Sequence, residues 1–181
     1  GDIVLVGGAS TANSKKGGKV TITGGIGASP NTINGGDGGT VEIVGGEARG
    51  SHNSDFGGDV VAIGGASYAG QGGGIRVSTG KSALTSSGDI LMKSSNAGRA
   101  GVSGNIALRT GTSSFGNTGY VSVATGDATA GKAGYVSIYV GRGNVGDGGH
   151  IAVSAGKTTD QASGGYISMT SGYGEKTSSG S

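Results

Sequence analysis

A short glycine-bounded unit, G-x-Φ-x-Φ-x-x-G with Φ apolar, recurs through the chain and limits its possible folds more than any other feature. Successive units start mostly 15 or 16 residues apart, with longer steps near the N-terminus. A fixed period of this length is typical of repeat architectures. The first residue of the unit, here named the opening glycine, is Gly1, Gly18, Gly39, Gly58, Gly73, Gly88, Gly104, Gly119, Gly134, Gly149 and Gly165. The last, the closing glycine, is Gly8, Gly25, Gly46, Gly65, Gly80, Gly111, Gly126, Gly141, Gly156 and Gly172, with Ser95 in its place once.

Both Φ positions are apolar in every repeat. Alternation of this kind is typical of a half-buried strand, and the interval between units leaves no room for a helix. The first Φ column is Ile3, Val20, Val41, Val60, Ile75, Ile90, Ile106, Val121, Val136, Ile151 and Ile167. The second is Leu5, Ile22, Ile43, Ala62, Val77, Met92, Leu108, Val123, Ile138, Val153 and Met169.

These columns predict an all-β fold, a single-stranded β-solenoid (β-helix) of about eleven coils with a 15–16-residue period. Both Φ columns would face inward. A third inward column is predicted four residues after the closing glycine, at Ala12, Ala69, Leu84, Phe115, Ala130 and Val145. We expect residues 1–181 to form one solenoid domain and, because no polar capping helix is apparent, to be a segment of a longer array.

Composition excludes several classes of protein. The 181 residues include 45 glycines and only one proline, and glycine is not strictly every third residue, which excludes collagen. The net charge of +2 without a like-charge block argues against nucleic acid as a partner. No apolar run approaches the roughly 20 residues of a membrane span, so we expect no membrane insertion. Without cysteine there is no disulfide framework, and no motif indicates a cofactor.

The order of sequence variants from Ser86 onward resembles a known group of proteins. The variants are Ser-Ser-Gly-Asp-Ile (86–90), Asn-Ala-Gly (96–98), Gly-Val-Ser-Gly (101–104), Thr-Gly-Thr (110–112), Val-Gly-Arg-Gly (140–143) and Ala-Gly-Lys-Thr (155–158). They are similar to the glycine- and serine-rich tandem-repeat β-solenoids predicted as secreted or surface proteins of unicellular algae, diatoms and their relatives. The resemblance implies an extracellular or cell-surface location and a scaffold role.

Metal binding and catalysis find little support in the sequence. Calcium-binding β-rolls place aspartate at one register of a nonapeptide, whereas Asp37 and Asp147 stand in isolated glycine-rich stretches of a 15-residue period. His52 and His150 are the only histidines, they lie far apart, and no paired carboxylates share a register. We therefore predict no catalytic, cofactor-binding or metal residues, and no enzyme.

Two sets of residues outside the Φ columns are candidate interaction surfaces. Apolar residues facing away from the predicted core define the assembly surface, which consists of Val4, Val6, Val44, Val61, Ile63 and Leu91. Aromatic residues in the last repeats define the aromatic strip, which consists of Tyr120, Tyr135, Tyr139 and Tyr166. Stacked rings stabilise a sheet, and exposed tyrosine is also favoured at interfaces.

These observations predict a non-enzymatic structural module of an extracellular filament, appendage or cell-surface coat. It would assemble through the wall and ends of the solenoid with copies of itself or with related solenoid chains. The alternative is a surface module that binds glycan or ice on one flat solenoid face, with glycan as the partner.

Overall fold

The computed structural model describes residues 1–31, 33 and 35–175, and this part of the chain contains no helix and no β-strand. The prediction of an all-β solenoid, or β-helix, is therefore wrong. Alternation of apolar and polar residues is necessary for a half-buried strand, but a strand exists only where a neighbouring segment pairs with its backbone.

The backbone hydrogen bonds explain why no coils form. A solenoid with this period requires bonds between one repeat and the next, about 15 residues apart. In the described ranges every backbone–backbone hydrogen bond instead joins residues on either side of, or within, one connecting loop. The remaining amide and carbonyl groups of the apolar segments are left for water, which satisfies exposed backbone groups.

Six loops in the described ranges are closed by pairs of glycines, here named necks. In a neck the opening glycine of one repeat donates its N–H to the carbonyl oxygen of the preceding closing glycine. The distances are 2.6 Å for Gly18 to Gly8 and 2.8 Å for Gly39 to Gly25, Gly58 to Gly46 and Gly73 to Gly65. Gly88 to Gly80 measures 3.2 Å and Gly165 to Gly156 2.9 Å. The connecting segments are thus short surface loops whose ends lie close together.

Each loop turns back at a bend near its middle, whereas none of the apolar segments has a bend. Glycine supplies the left-handed backbone that three of these bends need, with φ of 143° at Gly101, 103° at Gly116 and 75° at Gly146. Ser14 has the same kind of conformation in the first loop, with φ of 57°. The chain therefore alternates straight apolar segments with closed, bent loops.

No residue in the described part of the chain is buried, which contradicts the predicted core of two Φ columns. Side chains within a segment still differ in their exposed fraction. In several repeats the first Φ residue is less exposed than the residue beside it: Ile90 is 55% exposed and Leu91 78%, while Val136 is 53% exposed and Tyr135 87%. The first repeat is the reverse, since Ile3 is 91% exposed and Val4 76%. The alternation thus indicates the more sheltered side of those several segments only, and the shelter is partial.

The predicted third inward column is also wrong. All six of its residues lie at the loop bends, and the large ones are almost fully exposed, with Phe115 at 99% and Leu84 at 94%. A residue four positions after the closing glycine falls at the bend near the middle of its loop, both in loops closed by a neck and in loops without one. The apolar column therefore projects into solvent.

Internal contacts divide the chain into two units, Gly1–Met92 and Lys93–Ser181. The first has the necks closed by Gly18, Gly39, Gly58, Gly73 and Gly88, and the second has the remaining repeats. The prediction of one domain over residues 1–181 stays a prediction.

Candidate interaction surfaces

Four necks of the first unit exclude any side chain at one glycine. The residue before the closing glycine is itself glycine in these repeats and is half-buried. A Cβ added there would overlap the carbonyl oxygen of the next opening glycine, as at Gly45 against Gly58. The closing glycine beside it has open space around its Cα. The glycine doublets are Gly7-Gly8, Gly24-Gly25, Gly45-Gly46 and Gly64-Gly65.

In the second unit a side chain occupies the position that is glycine in those four necks. Ser94, Thr110, Thr125 and Val140 face the opening glycines. A Cβ built on Gly119 would lie 3.5 Å from Thr110 Cγ2, and one on Gly149 only 2.6 Å from Val140 Cγ1. At these four loops the two chain segments at the loop's ends are therefore separated by a side chain, and no neck hydrogen bond joins their described residues.

The assembly surface lies entirely within the unit Gly1–Met92. All six of its residues are on straight apolar segments and are largely exposed, from 71% at Val61 to 84% at Ile63. They share this exposure with the rest of the described chain, in which no residue is buried, and the predicted solenoid wall is absent from the described residues. Their role in assembly stays a prediction.

The aromatic strip lies entirely within the unit Lys93–Ser181. Its four rings are 82% to 89% exposed. Tyr120, Tyr135 and Tyr166 each follow an opening glycine directly, so they share one position of the repeat, and His150 occupies that position between them. The described residues include no hydrogen-bond partner for any of these phenol oxygens. The side chains are therefore available to molecules outside the chain.

The loop 47–57 has the densest polar cluster. Arg49 Nε lies 2.9 Å from Glu47 Oε2, and His52 Nδ1 lies 2.7 Å from Ser54 Oγ. Asp55 Oδ2 accepts a hydrogen bond from the backbone N–H of His52 at 2.9 Å. The carboxylate thus contacts the backbone, not the imidazole ring, and it braces the loop without forming a proton relay with Ser54.

The described residues lack the features of a metal centre, a ligand cavity or a membrane-spanning helix. Those residues form no group of three or more histidines, cysteines or carboxylates suited to a metal ion. They also line no cavity. Among them is no helix that is both long and apolar enough to cross a membrane.

No protein-family model matches the chain, and neither the curated proteins nor the solved structures include a significant match.

Sequence reasoning missed the loop tips as exposed features. The signal was present, because large apolar residues recur at the fourth position after the closing glycine. In a solenoid such an apolar column faces the core, whereas at the tip of a surface loop it faces solvent. The exposed tips with the largest side chains are Leu84, Phe115 and Val145.

Proposed function

We propose that this chain is a non-enzymatic structural module of an extracellular or cell-surface assembly, and that it associates with further copies of itself through the assembly surface. The observation on which this rests is the exposure of its apolar residues. A chain in which Val61, Ile63 and Leu91 all face solvent has obtained little hydrophobic stabilisation from its own fold.

The energy available from covering this surface supports association. Burying six Val, Ile or Leu side chains contributes at most about 9 to 18 kcal/mol. Association costs about 4 to 15 kcal/mol in lost freedom of motion. One such contact is of the same order as the cost, so several contacts made together are needed for a stable assembly.

A second copy of the same chain is the partner that fits best. The apolar segments that carry the assembly surface are unevenly spaced, at steps of 17, 21, 19, 15 and 15 residues, so they need a partner whose apolar segments have matching spacing, and the same repeats of a second copy provide it. The net charge of +2 over 181 residues imposes little repulsion between copies. Obligate homo-oligomers often have no stable folded monomer, because their folding and association are coupled.

The extracellular location rests on the resemblance to algal tandem-repeat proteins. The glycan- or ice-binding alternative required a flat solenoid face, which the described residues do not form, so it is not part of the proposal.

The test is a double variant, Val61→Lys with Ile63→Lys, studied by sedimentation velocity over a range of concentrations. The matched control is Thr21→Lys with Thr23→Lys, which adds the same charge at the same two positions of another repeat of the same unit without removing apolar surface. We expect oligomers of the parent and of the control, and loss of oligomers in the Val61, Ile63 variant. A parent that stays monomeric at high concentration, or equal loss in both variants, contradicts the proposal.

A further inference from the structure

The aromatic strip is exposed, and three of its four tyrosines share one position of the repeat. Tyrosine that is covered by protein normally gives its hydroxyl a hydrogen-bond partner. The phenols of Tyr120, Tyr135, Tyr139 and Tyr166 have none among the described residues, and each ring is at least 82% exposed. Such rings are accessible both to a neighbouring copy of the chain and to an oxidant.

The chain has few other means of covalent cross-linking by oxidation. It contains no cysteine, so disulfides between copies are excluded, and it contains no tryptophan. Tyrosine is then the side chain that can couple oxidatively with its own kind. Five of the six tyrosines lie in the unit Lys93–Ser181, and four of those five form the strip.

The repeat also brings like residues together when copies align. Tyr120 and Tyr135 are separated by the repeat period, so two copies aligned in register place each of them opposite its equivalent. A shift by one repeat still places Tyr120 opposite Tyr135. Alignment by the repeat therefore favours tyrosine–tyrosine encounters within the strip.

We propose that the aromatic strip is an oxidative cross-linking site, at which a haem peroxidase using hydrogen peroxide joins tyrosines of neighbouring copies as dityrosine. This inference rests on the proposed self-association, and it requires in addition that associated copies align along their Lys93–Ser181 units, which brings the strips together. Each of two phenols loses one electron and one proton to give a tyrosyl radical. The radicals couple through a carbon–carbon bond between ortho positions, and the ring hydrogens move to the phenol oxygens. Hydrogen peroxide accepts the two electrons and two protons and leaves as two molecules of water.

The experiment uses the full chain with a haem peroxidase and hydrogen peroxide, at concentrations above and below that at which it assembles. Covalent multimers are followed on denaturing gels and by dityrosine fluorescence, and the linked peptides are identified by mass spectrometry. One variant replaces all four strip tyrosines by phenylalanine. The control replaces Tyr68 and Tyr173 by phenylalanine; these two tyrosines are also exposed but lie outside the strip.

We expect the parent and the control to form covalent multimers linked at strip tyrosines, and the strip variant to lose most of them. Equal loss in the control, or dityrosine formed equally in the dilute monomeric chain, overturns the inference. The two proposals fail separately. A parent that is monomeric by sedimentation without oxidant contradicts the proposed self-association, whereas a parent that assembles but gives no strip-linked dityrosine contradicts only the cross-linking site.

Discussion

The amide nitrogen of Gly58 donates a hydrogen bond to the carbonyl oxygen of Gly46, 2.8 Å away, and closes the loop 47–57. The approach is close because Gly45, beside Gly46, has no Cβ where the carbonyl of Gly58 lies. A glycine doublet therefore has two different members. The first permits contact between the backbones, and the second accepts the hydrogen bond.

Gly45→Ala is expected to open this neck, because the new methyl group would overlap the Gly58 carbonyl oxygen. Loss of the hydrogen bond costs about 0.5 to 1.5 kcal/mol locally. The measurement is hydrogen exchange at the Gly58 amide by NMR, which should accelerate. Gly46→Ala is the control, since nothing lies within 4 Å of a Cβ added there. Equal exchange rates in the two variants would contradict the proposed geometry of the neck.

A second prediction concerns the bend at Gly146. Its φ of 75° is unfavourable for any residue with a Cβ, so Gly146→Ala should destabilise the bend by about 1 to 2 kcal/mol. The loop 142–148 includes Arg142, so faster tryptic cleavage after this residue reports the change. Gly148→Ala is the control, because Gly148 has neither a positive φ nor a close neighbour. If Gly148→Ala accelerates cleavage as much, the bend does not depend on glycine at position 146.

The repeat pattern pointed to the opening and closing glycines, and in six loops these glycines form the necks. It also indicated the more sheltered side of several segments, as Ile90 and Leu91 demonstrate, although not of the first, where Ile3 is more exposed than Val4. What alternation could not indicate was whether a neighbouring strand would pair with these segments. Pairing depends on contacts between distant residues, and ordering a glycine-rich backbone has a high entropic cost. The tip position of Phe115 follows from the bend at residues 114–116 and the positive φ of Gly116, which the apolar pattern did not reveal.

The third prediction concerns the polar brace of the loop 47–57. Asp55 accepts the His52 N–H through its side chain, and its own N–H donates to the His52 carbonyl oxygen at 3.0 Å. Asp55→Ala keeps the second bond but removes the first, at a cost of about 0.5 to 1.5 kcal/mol. Proteolysis by trypsin after Arg49, in the same loop, should become faster. Asp59→Ala, beyond the neck, should leave the cleavage rate unchanged, and equal acceleration would mean that the brace is unimportant.

The last prediction compares the effect of one substitution on the dilute chain with its effect on self-association. Ile106 belongs to the first Φ column and is 58% exposed, so Ile106→Asp should alter the dilute chain little, because the new carboxylate can remain hydrated. Here we expect association to extend beyond the assembly surface, to the first Φ column of the unit Lys93–Ser181. Where a neighbouring copy covers this column, the same carboxylate would lose water without gaining a partner, which costs several kcal/mol. We therefore expect the far-UV circular dichroism of the dilute variant to match the parent, while sedimentation shows weaker self-association. Asn105→Asp adds a carboxylate at the adjacent position and should weaken association less. If Ile106→Asp instead changes the dilute spectrum strongly, Ile106 is part of a core within the chain, and the exposed state of the first Φ column is wrong.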